Sequence, residues 1–266
     1  MENPDSPYFG DSGIQMLQKA RDEQVTELSD LPGAVIHGRV FSSDDPETLG
    51  WPRLKDVMAA EGMISLRGVD EITLRRSCDE LAEFNPVVHR WDMFMADADT
   101  LRDVCAPIAA APLAKGLVRT PDSEITPALV HAVQRFLSEQ GVSPFSKDAL
   151  LAQLFPAKLL VLQHGDGRIA AAGFAAMTHN RHSPFAGVAW VGLIAVDPEL
   201  RGLGLGKQVD ALSNLVAVDE LGAVATMEFV ARDNKPSRAM LESCGLRNVN
   251  DRAVVVLSTS TDRISR

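Results

Sequence analysis

A chain of 266 residues is long enough for one large domain or two small ones, and 45% apolar residues suffice for a buried core. A formal net charge of −10 opposes the basic face that nucleic acids demand, so no nucleic-acid partner is expected; the acidity suits a cationic acceptor and equally serves solubility alone. No apolar run approaches the ~18 residues of a membrane span, the acidic, proline-broken start is unlike a signal peptide, and Cys78, Cys105 and Cys244 lack metal spacing, so a metal-free cytoplasmic protein with no membrane partner is expected.

In chain order, residues 14–28 have helical spacing, 34–41 alternate loosely like a strand, and 51–60 read as a helix stopped by Gly62. Residues 63–66 form a second candidate strand, 70–84 a helix ending before Asn85-Pro86, 89–95 an alternating strand with Trp91, and 99–111 a helix. This alternation predicts a small α/β unit over residues 1–110. It has no role legible in its residues and is open to reading as a degenerate copy of the unit that follows. The proline-punctuated stretch 106–116 marks the boundary.

The second unit, residues 114–266, begins with a strand at 115–119. Thr126-Pro127 then supplies an N-cap and a first-turn proline for a helix ending at Gly141. A helix over 146–155 follows, then a hairpin of 158–163 and 169–177 around His164-Gly-Asp-Gly167. An apolar strand over 189–196, a helix over 206–221, a strand over 223–231, a helix over 235–244 and a strand over 253–257 complete the chain.

The most specific signal is Arg201-Gly-Leu-Gly-Leu-Gly206, set between that apolar strand and a helix start. Such a turn directs backbone N–H groups and the positive helix end at one point, and glycine lets a phosphate reach the backbone. The spacing fits neither Gly-x-Gly-x-x-Gly nor a nucleotide P-loop, because Gly202 is one residue too close to Gly206 and Gln208 stands where a magnesium-binding hydroxyl belongs. Arg-x-x-Gly-x-Gly resembles the pyrophosphate loop of the GCN5-related N-acetyltransferases (GNAT). Ile194-x-Val196-x-Pro198, Val230-Ala-Arg-Asp-Asn234 and Met240-Leu-Glu-Ser-Cys-Gly245-Leu246 are similar to further family motifs, in family order.

The resemblance implies an α/β mixed sheet with splayed central strands, preceded here by the smaller N-terminal α/β unit. It also implies acetyl-CoA as cosubstrate and transfer to a primary amine, expected to be that of a small molecule, in a ternary complex. By the same resemblance, Arg201, Gly202, Leu203, Gly204, Leu205, Gly206 and Lys207 would bind the pyrophosphate. Ile194, Ala195 and Val196 would hold the pantetheine arm and face the thioester oxygen, and Asn234 would reach the cofactor or cap the helix after it. Many relatives carry a tyrosine acid where this chain has Leu241, and its only tyrosine is Tyr8. For the base, Glu228 is an unusual carboxylate on an inward strand face, its alternative being a strand-end pair with Arg232; His179, in the loop with His182, is a second candidate. His-x-x-His in a turn is poor metal geometry. A non-catalytic acyl-CoA-binding module and a protein N-terminal or lysine acetyltransferase are the competing readings, and the habit of relatives implies a homodimer.

Overall fold

The computed structural model describes residues 6–114 and 116–260. Most of the acidic start, and Lys115 at the head of an expected strand, lie outside the described residues. The chain begins with helix α1 (Ser12–Leu28), whose first turn is capped by the Asp11 carboxylate accepting from Ile14 N–H. Strands β1 (Ala34–Val35) and β2 (Ser42–Ser43) follow, with helices α2 (Pro46–Leu49) and α3 (Trp51–Glu61). Next come β3 (Met63–Val69), α4 (Glu71–Glu80), β4 (Val87–Asp97) and α5 (Ala98–Ala109). The second segment comprises β5 (Leu117–Arg119), α6 (Pro127–Glu139), α7 (Lys147–Leu150), β6 (Ala157–His164) and β7 (Ile169–Ala176). It closes with β8 (Val188–Val196), α8 (Leu205–Asp219), β9 (Ala225–Val230), α9 (Lys235–Ser243) and β10 (Arg247–Ser258).

Two expected elements are much shorter than their periodicity suggests. The strand expected over 34–41 ends at Val35 because Ile36 N–H donates to Thr178 O instead of to a sheet neighbour, and residues 37–40 leave the sheet to wall a cavity. The helix expected over 146–155 stops at Leu150, with Ala152 in the left-handed region at φ 57°, and Pro156 disfavours helical backbone just before it.

The ten strands among the described residues join one sheet in the order β1-β2-β3-β10-β4-β9-β8-β7-β6-β5. The N-terminal and C-terminal segments therefore share a sheet, interleaved by one strand exchange. β10 lies between β3 and β4, antiparallel to both, and β4 in turn pairs antiparallel with β9. The order is the same read from either side of the β10–β4 pair. On one side β2 runs parallel to β3 and antiparallel to β1; on the other β8 runs parallel to β9 and antiparallel to β7. Each parallel pair is joined through a helical crossover, as parallel strands require. Ile64 and Leu66 of β3 belong to one core cluster with Leu54 and Met58 of α3, while Val209 and Val216 of α8 cluster with Leu160 and Leu162 of β6.

Candidate active site

β8 and β9 pair only at Val188–Ala225, Ala189–Thr226 and Trp190–Met227. Beyond that point they separate, and the facing edge of β8 has no strand partner. The divergence coincides with a bulge: Phe174 pairs with Gly192 and Ala172 with Ala195, leaving Leu193 and Ile194 opposite a single residue. Leu193 takes φ 53°, a left-handed value uncommon for a branched side chain. Bulges of this kind bend a strand and redirect its groups. Asp197 N–H donates to Ala170 O on β7, so strand alternation turns Ala195 toward β7 and leaves the N–H groups of Ile194 and Val196 facing the gap.

At the open end of the gap lies the glycine turn. Gly202 and Gly204 both have φ 79°, and a Cβ on either would meet nothing within 4 Å, so open space lies over the backbone. Gly204 is the N-cap of α8 and offers no side chain to cap it. The first helical bond runs from Gln208 N–H to Gly204 O, and no group among the described residues accepts from the N–H groups of residues 202–207. A 15-residue helix thus presents uncapped donors and its positive end to solvent. Arg201 staples the turn: its Nε reaches Val196 O at 3.4 Å and its guanidinium donates to Gln140 Oε1 at 2.8 Å. Leu205 is buried, whereas Leu203 and Lys207 are exposed. These residues fit an anionic, phosphate-bearing cosubstrate.

Glu228 sits on β9 opposite Phe94 of β4 and is 4% exposed. Its carboxylate accepts from Asn214 Nδ2 of α8 at 2.9 Å, and Asn214 Oδ1 in turn accepts from Thr226 Oγ1. Burial first, and the neighbouring Asp210 carboxyl second, push the Glu228 carboxyl well above its ordinary range; burial likewise raises Asp210 to about 6. Two buried carboxyls side by side favour holding a proton between them. Arg232 pairs with Asp92, not with Glu228.

A cavity of about 240 Å³ opens along the gap and reaches both faces of the sheet. Glu228, Ile194, Asn234 and Leu241 contribute to its lining, as do Trp190 and Phe229. Asn234 caps α9, its Oδ1 accepting from Ser237 N–H at 3.2 Å, and it is also a lining residue of the cavity. His179 is not among the lining residues. Its ring packs edge-on against Phe185, and burial drives its pKa down to about 3. His182 lies at the surface beside Asp30.

Apart from Glu228, the charged lining of the cavity is basic, although the chain as a whole is acidic. His37, Arg39 and Arg67 line it. Burial lowers the Arg67 guanidinium to about 9, still cationic at neutral pH, and burial together with Arg67 and Arg39 pushes His37 well below its ordinary value. None of the three lies in a recognisable motif. The weak alternation over 34–41 and an arginine inside the apolar strand 63–69 were the only available signals, and neither says that the two segments face the β8–β9 gap.

An uncapped glycine turn closing the end of a strand gap is matched in sequence by the acetyltransferase (GNAT) family model over residues 129–246. Residues 129–246 form a GNAT domain. A GCN5-related N-acetyltransferase from Kribbella flavida is similar at 14% identity, over 94% of this chain and 99% of its own length, with a TM-score of 0.55. A Drosophila protein is similar at 15% identity, over 92% and 89%, with a TM-score of 0.57. At such identities the likeness is one of fold. No curated protein sequence matches the chain. The GNAT match spans α6 through α9 and leaves out His37, Arg39 and Arg67, so the basic wall comes from outside it. Within the GNAT domain, Leu241 lines the cavity and is 2% exposed, and Cys244 is fully buried with its thiol toward Lys207 O. Among the described residues no group of His, Cys, Asp and Glu could hold a metal ion, and no helix is long and apolar enough to cross a membrane.

Proposed function

We propose that this chain is an N-acetyltransferase that moves the acetyl group of acetyl-CoA to a primary amine of a small molecule by direct attack. The observation that carries the reading is the set of uncapped N–H donors at 202–207 standing at the mouth of the unpaired β8 edge. Those donors would hold the pyrophosphate, with Arg201 bracing the turn from Val196 O and Gln140. The N–H groups of Ile194 and Val196 would take the place of a missing strand partner for the amide-bearing arm. One such preorganised donor facing a developing oxyanion is worth ~2.7–4 kcal/mol. Acetyl-CoA, when bound, supplies the acyl group as a thioester.

Glu228 is the proposed base. An amine attacks only when neutral, and a carboxylate whose affinity for protons is raised by burial takes that proton more readily at neutral pH than an ordinary glutamate. Asn214 fixes its orientation and Asp210 shares its proton. Leu241 offers no acid, and a thiolate leaving group is stable enough to take its proton from solvent.

The deciding experiment is thiol release from acetyl-CoA against a panel of amines, paired with calorimetry of acetyl-CoA binding. Release with at least one small amine supports the reading. Tight binding with no release from any acceptor identifies a binding module instead, and the absence of acetyl-CoA binding removes the assignment. For the N-terminal segment, residues 1–110, we propose a degenerate copy of the 114–266 unit, on the strength of the matching β1-β2-β3 and β7-β8-β9 arrangements. It supplies a wall of the acceptor cavity and binds no cofactor of its own.

A further inference from the structure

Arg67 projects from β3 into the cavity and is only 5% exposed. Its guanidinium lies over the Phe229 ring, 4.9 Å from the centroid. No group among the described residues accepts a hydrogen bond from it, and its Nε is buried without a partner. A charge removed from water without a counter-charge is costly, and chains rarely keep one unless something else supplies the partner. The nearby titratable groups do not supply it. Arg39 and His179 act on His37 in the same sense as Arg67 does, so these four side chains form one basic cluster. The cavity's carboxylate, Glu228, alternates along β9 with Phe229 and so lies on the opposite face of the strand, against Asn214 of α8. Arg39 has the Asp11 carboxylate acting on it, so in a chain of net charge −10 it is Arg67 that stands enclosed without a counter-charge among the described residues.

We infer that the wall around Arg67 is the seat of a carboxylate carried by the acceptor, so that the acceptor class is an amino acid or a similar small amino carboxylic acid. A planar guanidinium matches a carboxylate in a two-point pairing, and its stacking on Phe229 holds the fork in place. Neutral His37, whose buried Nδ1 is also without a partner, adds a hydrogen-bonding group beside it. With the carboxylate at Arg67 and the amine directed through the β8–β9 gap, the nitrogen meets Glu228 from the far side of the sheet. The inference rests on the acetyltransferase reading for its reaction, but not for its binding.

Calorimetry on the full chain, with and without saturating coenzyme A, tests it. N-acetylglycine, N-acetylalanine and N-acetylphenylalanine are each titrated against the corresponding neutral amide. At least one acid is expected to bind tenfold or more tightly than its amide, and Arg67→Met to erase that difference while leaving coenzyme A affinity within twofold. Equal binding of acid and amide in every pair, or binding of no acid at all, overturns the inference, and this comparison in the unaltered protein needs no variant to fold. A loss of coenzyme A affinity in Arg67→Met also overturns it, because Arg67 would then be a cofactor contact. Failure of coenzyme A itself to bind would remove the acetyltransferase assignment, yet the acid–amide comparison without coenzyme A would still read the site.

Discussion

The two flanks of the sheet have the same plan and opposite chemistry. In each, an antiparallel strand leads into a parallel pair through a turn and a helix. On the C-terminal flank the turn is Gly202-Leu-Gly204 with its helix donors uncapped. On the N-terminal flank the corresponding turn is Asp44-Asp45-Pro46, where the Asp45 carboxylate accepts from both Thr48 N–H and Thr48 Oγ1–H. A protein carboxylate already fills the position a phosphate would want, and its charge repels one. β3 likewise places Leu66 in the core cluster shared with α3, whereas β9 places Glu228 against Asn214 of α8. A strand–turn–helix arrangement is therefore a scaffold, and only the side chains at its turn and on its inner face decide whether it can hold an anion and move a proton.

The largest expected effect separates the flanks at their turns. Gly204→Asp introduces a carboxylate where open space now covers a backbone at φ 79°, and acetyl-CoA affinity should fall at least 100-fold by calorimetry; unchanged affinity would break the contrast. Glu228→Gln should lower kcat about 100-fold, within the usual range for a general base, with the acetyl-CoA KM near that of the unaltered protein. The rise of activity with pH, as the Glu228–Asp210 pair gives up its proton, should disappear with it. A retained pH profile would move the base elsewhere.

Asp210→Asn reads the same pair through stability. The folded-state pKa of Asp210 is raised from 3.8 to about 6, so its protonated form stabilises the fold at low pH, and that contribution is lost as pH climbs from about 4 to about 6. Urea unfolding across that window should show the slope in the native chain and a flatter one in the variant. The smallest effect belongs to the N-terminal flank. Gly50, at φ 95°, should cost ~1–3 kcal/mol of stability when changed to Ala, with acetyl-CoA affinity untouched. A loss of affinity there would mean that the two flanks are not chemically distinct.

Much of the C-terminal flank was legible because its signals are local. Glycine spacing, the Thr126-Pro127 helix start and the His164–Gly167 hairpin turn each depend on residues within a few positions. Glu228 was legible as an oddity, a carboxylate on an apolar strand face, but its partners Asn214 and Asp210 were not, since they reach it only after α8 folds across the sheet. The exchange of β4 and β10 was equally hidden. Both read as ordinary alternating strands, and alternation does not name a neighbour. His179 looked accessible in a polar loop, yet the isolated pairing of its backbone with Val35 draws it into the interior.

What the sequence determined by itself was the glycine turn at the start of α8 and the order of elements around it, because backbone conformation and helix capping follow from residues adjacent in the chain. What only the tertiary structure decided was the basic wall of the cavity: His37, Arg39 and Arg67 come from strands and loops far from Glu228 in sequence, and a charge has meaning only through what the fold sets beside it. A buried arginine without a counter-ion cannot be read from its neighbours in the chain, because the missing partner is a property of the surrounding space.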